Sequence, residues 1–259
     1  MLDFSAIWFK DAFRQRGCPI CYLQEHGDAR YIFSVLYEFV TDGPTRAGFV
    51  DSLGYCREHA WAQQMTEKEH WNDGMGTATM YESVLDQNLM GLDQFIKATR
   101  REIAHQRSPF MRGLARWGNQ IKQALPRLPI QGTTTARFPF GIVPCKLCRV
   151  CETGNRSVSA SLDTFANKIE WDEFRDWYRA SDGLCLPHLN AVLERIAEPA
   201  LRRFVVEVAV EKLEENAAAL REYLRKRDYR FKHEPLTAAE RDSWRRAVEQ
   251  FVGKRRWKR

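Results

Sequence analysis

Six cysteines and two histidines fall into four short pairs: Cys18-Pro-Ile-Cys21, Cys56-Arg-Glu-His59, Cys148-Arg-Val-Cys151 and Cys185-Leu-Pro-His188. Two residues separate the donors of every pair, the gap that lets one turn of backbone offer two ligand atoms to one ion. The first and second pairs lie 34 residues apart and the third and fourth 33, so each half of the chain repeats C-x2-C…C-x2-H in nearly one register. Three thiolates and an imidazole form a closed tetrahedral zinc site, which contributes folding energy and leaves no position for an activated water. The pattern predicts two structural sites, one of Cys18, Cys21, Cys56 and His59, the other of Cys148, Cys151, Cys185 and His188. Closure within each half is preferred over a swap that brings Cys18 and Cys21 to Cys185 and His188, because the shorter loop loses less chain entropy.

The seventh cysteine, Cys145, stands three residues before Cys148 and is a possible substitute in the second site. Pairing Cys148 with Cys151 keeps the spacing of the first half and aligns Ser161-Leu162 with Tyr31-Ile32. Pairing Cys145 with Cys148 matches Glu152 to Glu25 but lengthens the gap to 36 residues, so the former register is preferred. Replacing Cys56 or His59 is accordingly expected to disturb the fold far more than replacing Cys145.

Other thiol chemistries fit less well. A redox Cys-x2-Cys pair belongs at a strand-to-helix junction of a thioredoxin-like unit, and no such pattern surrounds these pairs. Covalent haem needs histidine where Tyr22 and Arg149 stand. An iron-sulfur cluster is the serious competitor, since thiolates bind both metals, and spacing alone does not separate it from zinc. His26, His70, His105 and His233 have no donor partners at comparable spacing and receive no role. Neither a carboxylate pair nor a glycine-rich phosphate loop stands out; Gly74-Met-Gly76 and Gly91 suit helix boundaries.

The elements that must hold these donors read as helices. Gly54 and Gly183 each precede a Cys-x2-His cysteine by two residues, suiting a tight approach before a helix whose first turn carries Cys and His together. Phe4, Trp8 and Ala12 share one face, and Ile32, Val35, Leu36 and Phe39 recur at helical steps before Asp42-Gly-Pro. A long helix is predicted from about Ala78 to His105, with Met80, Val84, Leu85, Leu89, Leu92, Phe95 and Ile96 along one side. A second opens at Glu198-Pro199 and carries Leu201, Phe204, Val205, Val208, Leu213, Leu220 and Leu224. Thr237-Ala-Ala-Glu240 is a capping box that should start a helix packing through Trp244, Val248 and Phe251. The fold class is all-α: two related helical modules, each with a Cys3His metal knot followed by a long amphipathic helix. The expected division is residues 1–106 for the first module, 107–144 for a basic linker and 145–259 for the second module with its capped helix and tail.

The chain resembles the bacterial proteins grouped as domain of unknown function 6062. The resemblance rests on Cys18-Pro-Ile-Cys21, Gly54-Tyr-Cys56-Arg-Glu-His59, Cys148-Arg-Val-Cys151, Leu162-Asp163-Thr164 and Gly183-Leu-Cys185-Leu-Pro-His188. It implies a mainly helical protein with paired Cys/His sites, and carries no activity with it.

At 259 residues and 44% hydrophobic content the chain can bury a sizeable core. No apolar run reaches the ~20 residues of a membrane span, and Met1-Leu-Asp-Phe-Ser has no secretion-signal character, so the expected address is the cytoplasm. In that reducing compartment cysteines at this spacing are metal ligands more often than disulfides. Residues 107–143 hold six basic and no acidic residues, and the last 35 hold thirteen basic and five acidic, against +6 for the whole chain. The two modules proper are thus acidic and the basicity is peripheral. Within the linker, Phe110, Leu114, Trp117, Ile121 and Leu125 share a face beside Arg112, Arg116 and Lys122, giving a basic amphipathic helix. Docking on a module is preferred for it over a membrane surface or a nucleic acid backbone. Residues 126–143 read as a flexible connection. The end, Lys254-Arg255-Arg256-Trp257-Lys258-Arg259, could contact phosphates with a ring for stacking. The preferred reading is a metal-binding scaffold or adaptor with an unknown protein partner rather than an enzyme; the alternatives are an iron-sulfur redox protein and a nucleic-acid-binding protein.

Overall fold

A computed structural model describes residues 4–107 and 146–254, which hold ten α-helices and no strand. In the first part of the chain these are α1 (Phe4–Arg14), α2 (Pro19–Ser34), α3 (Gly43–Asp51), α4 (Arg57–His70) and α5 (Met75–Arg107). They are followed by α6 (Arg149–Lys168), α7 (Asp172–Ala180), α8 (Leu186–Leu193), α9 (Pro199–Arg227) and α10 (Ala238–Val252). Among the described residues no helix is long and apolar enough to cross a membrane. Cys145, the basic segment 108–125, the connection 126–143 and Arg255 to Arg259 lie outside the described residues.

Two compact units result, Met1–Phe33 with Val150–Arg259, and Ser34–Arg149. This partition differs from one drawn at residues 106 and 144, and the aromatic residues supply the reason. Phe9 and Phe13 of α1 are buried among Phe165, Phe174 and Tyr178 of α6 and α7. Phe13 meets Phe174 edge-on at 5.1 Å and 78°, and Phe165 meets Tyr178 at 5.1 Å and 89°, the orientation that sets ring edge against ring face. The start of the chain is thereby part of the core of its second half. The buried face of α1 is Ala6, Phe9, Ala12 and Phe13. Trp8, expected on that face, is instead 48% exposed, with the Arg30 guanidinium 4.5 Å above its ring.

In the same unit α9 and α10 form an antiparallel hairpin. Pro199 opens α9, where its missing N–H costs nothing. The capping box opens α10, with Thr237 Oγ1 accepting from Glu240 N at 3.2 Å and Glu240 Oε2 accepting from Thr237 N at 2.9 Å. Glu240 also holds Lys226 at 2.9 Å near the turn, while Gln250 donates to the Lys212 carbonyl at 3.2 Å at the far end. The Asn216 amide donates to Ser243 O and to Gln250 Oε1, so small and polar residues take the packed face of α10. Trp244, Val248 and Phe251 were expected to pack there, but are 56%, 58% and 61% exposed.

The other unit is built on the 33-residue α5, about 50 Å long at 1.5 Å per residue. The buried carboxylate of Glu67 accepts from Gly76 N at 2.5 Å and Thr77 N at 2.9 Å, placing a negative charge on the positive end of that helix. Asp42 caps α3 in the same way through Thr45 N at 2.9 Å. Between α2 and α3 the chain passes through a π-helical turn, Val35–Phe39. Phe49 anchors the core against Tyr55 at 4.8 Å and Tyr81 at 5.1 Å, with Met80 and Val84 of α5 buried beside it. Leu85, Leu89, Leu92, Phe95 and Ile96 continue the predicted stripe but are exposed, so α5 packs through its first turns.

Candidate metal centres

All four donor pairs occupy the same local structure. Cys56 and Cys185 are the N-cap residues of α4 and α8, with extended backbone and no side-chain cap bond. Cys18 and Cys148 immediately precede α2 and α6. The second donor of each pair falls three residues later, in the first helical turn, so both donors point off one helix N-terminus. The residue two before each Cys-x2-His cysteine is in the left-handed region, Gly54 at φ +83° and Gly183 at φ +81°, where a side chain is strained. A Cβ on Gly54 would also lie 3.0 Å from the Tyr81 ring.

The pairs gather into two clusters whose donor atoms all lie within 4.8 Å of one another, Cys18, Cys21, Cys185 and His188 in one and Cys56, His59, Cys148 and Cys151 in the other. In the first, His188 Nδ1 is 3.4 Å from Cys18 Sγ, 3.4 Å from Cys21 Sγ and 3.2 Å from Cys185 Sγ, and the Cys21 and Cys185 sulfurs are 3.8 Å apart. In the second, His59 Nδ1 is 3.2 Å from Cys56 Sγ and 3.7 Å from Cys148 Sγ. The expected closure of each half upon itself is therefore incorrect: the Cys-x2-Cys pair of each half meets the Cys-x2-His pair of the other. The extra loop length, 163 residues between Cys21 and Cys185 against 34 between Cys21 and Cys56, costs only about 1 kcal/mol. Burying the rings of α1 with those of α6 and α7 outweighs that.

Backbone bonds tie the segments that carry the donors. Gly17 N donates to Asp182 Oδ2 at 2.7 Å, joining the approach to Cys18 with the approach to Cys185. At the second cluster Lys146 does the same, its Nζ reaching Asp51 Oδ2 at 2.7 Å and its N reaching Asp51 O at 3.3 Å. One further contact has no counterpart in the sequence signal. Gly253, directly after α10, lies so close to the first cluster that a Cβ there would stand 3.1 Å from Cys21 Sγ and 3.6 Å from Cys185 Sγ. Only a long-range packing contact produces this, so no local pattern could have announced it.

The six described cysteines are thiols without a disulfide. Cys18, Cys21 and Cys185 are buried, as are His59 and Cys148, whereas Cys56 and Cys151 are half-buried. Burial, reinforced by the neighbouring sulfurs, pushes the Cys18 thiol well up. Hydrogen bonds from Cys18, Cys185 and His188 hold Cys21 far below the usual thiol range. Burial opposes charge on His188, but its bonds to Cys185 and Cys21 win and push it up to about 9. A cation entering this set must expel protons from Cys18 and His188, so acid opposes loading. The donors would satisfy all four positions of a tetrahedral ion and leave none open.

The model of the family of unknown function DUF6062 matches residues 3–258. The chain belongs to that family. No curated protein and no solved structure matches this DUF6062 chain. Among its other histidines, His26 stacks on Tyr22 at 4.9 Å and His70 lies against Trp71 at 5.5 Å, both outside the clusters.

Proposed function

We propose that the protein is a structural zinc protein, two closed Cys3His sites holding a helical scaffold that serves as an adaptor for another macromolecule in a reducing compartment such as the cytoplasm. The observation that carries this reading is the size of the donor sets. Metal–sulfur bonds of about 2.3 Å and metal–nitrogen bonds of about 2.0–2.1 Å give a tetrahedron with edges of roughly 3.8 Å between sulfurs and 3.5 Å between sulfur and nitrogen. The first cluster has a sulfur pair at 3.8 Å and sulfur–nitrogen pairs at 3.2–3.4 Å. A polynuclear iron-sulfur core must interpose several atoms between its ligands and needs a wider cage, which argues for a single ion.

Electrostatics support the same reading. Three thiolates around a dication leave a net charge of −1 on each centre, and each centre sits on two helix N-termini, whose dipoles favour negative charge. With both sites filled, six thiolates and two dications lower the formal charge of the chain from +6 to about +4. The deciding experiment is elemental analysis of protein purified anaerobically without added metal. Two zinc per chain is expected; iron with matching sulfide would replace this reading with an electron-transfer protein.

A further inference from the structure

Beyond its first turns α5 carries an apolar line into solvent. Leu85, Leu89, Leu92, Ile96 and Thr99 follow one another at steps of four, three, four and three residues, the a and d spacing of a coiled coil. At 3.6 residues per turn they fall within about 40° of one line along the helix, and no charged residue falls among them. The three leucines and Ile96 are 38–63% exposed, on a face distinct from the one that Met80 and Val84 bury. Glu82, Asp86, Asp93 and Arg100 flank the line on one side, all of them exposed, with the acids toward the start of the helix and the arginine toward its end.

From this pattern we propose that the face is a self-association surface: α5 of a second copy packs on it antiparallel, about a two-fold axis between Leu92 and Ile96. Leu92 of one protomer then meets Ile96 of its partner, and Leu89 meets Thr99. The same axis brings Glu82 and Asp86 of each protomer beside Arg100 of the other, because antiparallel helices face each other through equivalent flanks. Asp93, nearest the axis, keeps its own Lys97 at 2.5 Å. A parallel pair would set the acidic ends side by side and align the helix dipoles, both unfavourable. The seam is only about two heptads long, but packing of its first turns already holds α5 as a helix, so association has no helix to nucleate. Charge argues against the other occupants. Anionic lipid and nucleic acid would both meet Glu82, Asp86 and Asp93. The basic stretch after Arg107, turned back along this line, would set Arg112 and Arg116 against Lys97, Arg100 and Arg101. The inference stands apart from the metal reading, since neither cluster contributes a residue to the surface.

The test is sedimentation equilibrium of the full, metal-loaded chain over about 10–100 μM, where a reversible monomer–dimer equilibrium is expected. Leu92→Asp should weaken association about a hundredfold or more, because each dimer loses the contact twice, with far-ultraviolet circular dichroism and metal content unchanged. Asp86→Arg should weaken it about tenfold, and Asp86→Arg combined with Arg100→Asp should restore it, since the antiparallel pairing is then re-formed with signs exchanged. A fully metal-loaded chain that stays monomeric throughout, or a dimer that Leu92→Asp leaves intact, would overturn the proposal without touching the metal reading. Failure of the double variant to restore what Asp86→Arg removes would overturn the antiparallel arrangement.

Discussion

The two clusters share a ligand set and a local geometry, yet they are covered differently. At the first, all three sulfurs are buried, those of Cys21 and Cys185 lie against Gly253, and the Lys254 ammonium reaches Glu25 at 3.5 Å. At the second, His59 is wholly buried but Cys56 and Cys151 are half-exposed. Identical chemistry therefore sits behind two different barriers. Affinity at such sites is set mainly by the donors and their protonation, whereas the speed of exchange is set by what must move to admit a competitor. The comparison predicts two centres alike in metal preference and unlike in lability.

The largest effect should come from removing a ligand. Cys185→Ala is expected to lose one metal per chain and to destabilise the unit around α1, α6 and α7 by several kcal/mol, because a structural site contributes its binding energy to folding. Cys56→Ala should lose one metal as well but leave the near-ultraviolet signal of the Phe9, Phe13, Phe165 and Phe174 cluster in place. Metal analysis and circular dichroism of both variants check this; an equal loss of that signal would erase the distinction.

Next in size is the kinetic contrast. A chromogenic chelator should withdraw metal in two phases, the faster from Cys56, His59, Cys148 and Cys151. Gly253→Ala, which sets a Cβ against the Cys21 sulfur, should accelerate the slow phase alone. A single phase, or acceleration of both, would show the covers to be equivalent.

Gly183→Ala and Gly54→Ala place a side chain at φ +81° and +83°, at a cost of about 1–2 kcal/mol each. Thermal melts should report Gly54→Ala as the costlier of the two, because its Cβ would also stand 3.0 Å from the Tyr81 ring, whereas that of Gly183 meets only the flexible Lys212 side chain. The smallest expected effect is on pH. The Lys226 ammonium, with the Thr237 amide, holds the Glu240 carboxyl below the usual carboxylate range. A carboxyl depressed in the folded state stabilises above its unfolded value near 4.3 and loses that contribution as pH falls through the folded value. Lys226→Met should lower stability in the neutral region and leave the acid end little changed, so that the acid limb of the stability curve flattens.

The donors themselves were legible because a two-residue gap between ligands is a local geometric demand that any fold must respect. So were the glycines before Cys56 and Cys185, the capping box at Thr237 and the proline at the head of α9, each set by backbone chemistry within a few residues. Partnership was not legible. Loop entropy distinguishes the two pairings by only about 1 kcal/mol, and the deciding term, ring packing of Phe9 and Phe13 on α6 and α7, depends on residues more than 150 positions apart. The outward faces of α5 and α10 escaped for a related reason. An apolar stripe announces a helix, but whether something covers it depends on elements far away in sequence.

The order of the donors along the chain is Cys18 and Cys21, then Cys56 and His59, then Cys148 and Cys151, then Cys185 and His188, so one site is nested inside the other like paired brackets. During synthesis the inner bracket can close as soon as Cys151 has emerged, while the outer one waits for His188. At about 5–20 residues per second the earliest thiols stand open for roughly 10–30 s before their histidine exists. The more deeply buried of the two donor clusters is thus the last to assemble, and its first two cysteines are the ones longest exposed to oxidants and to stray metal on the ribosome.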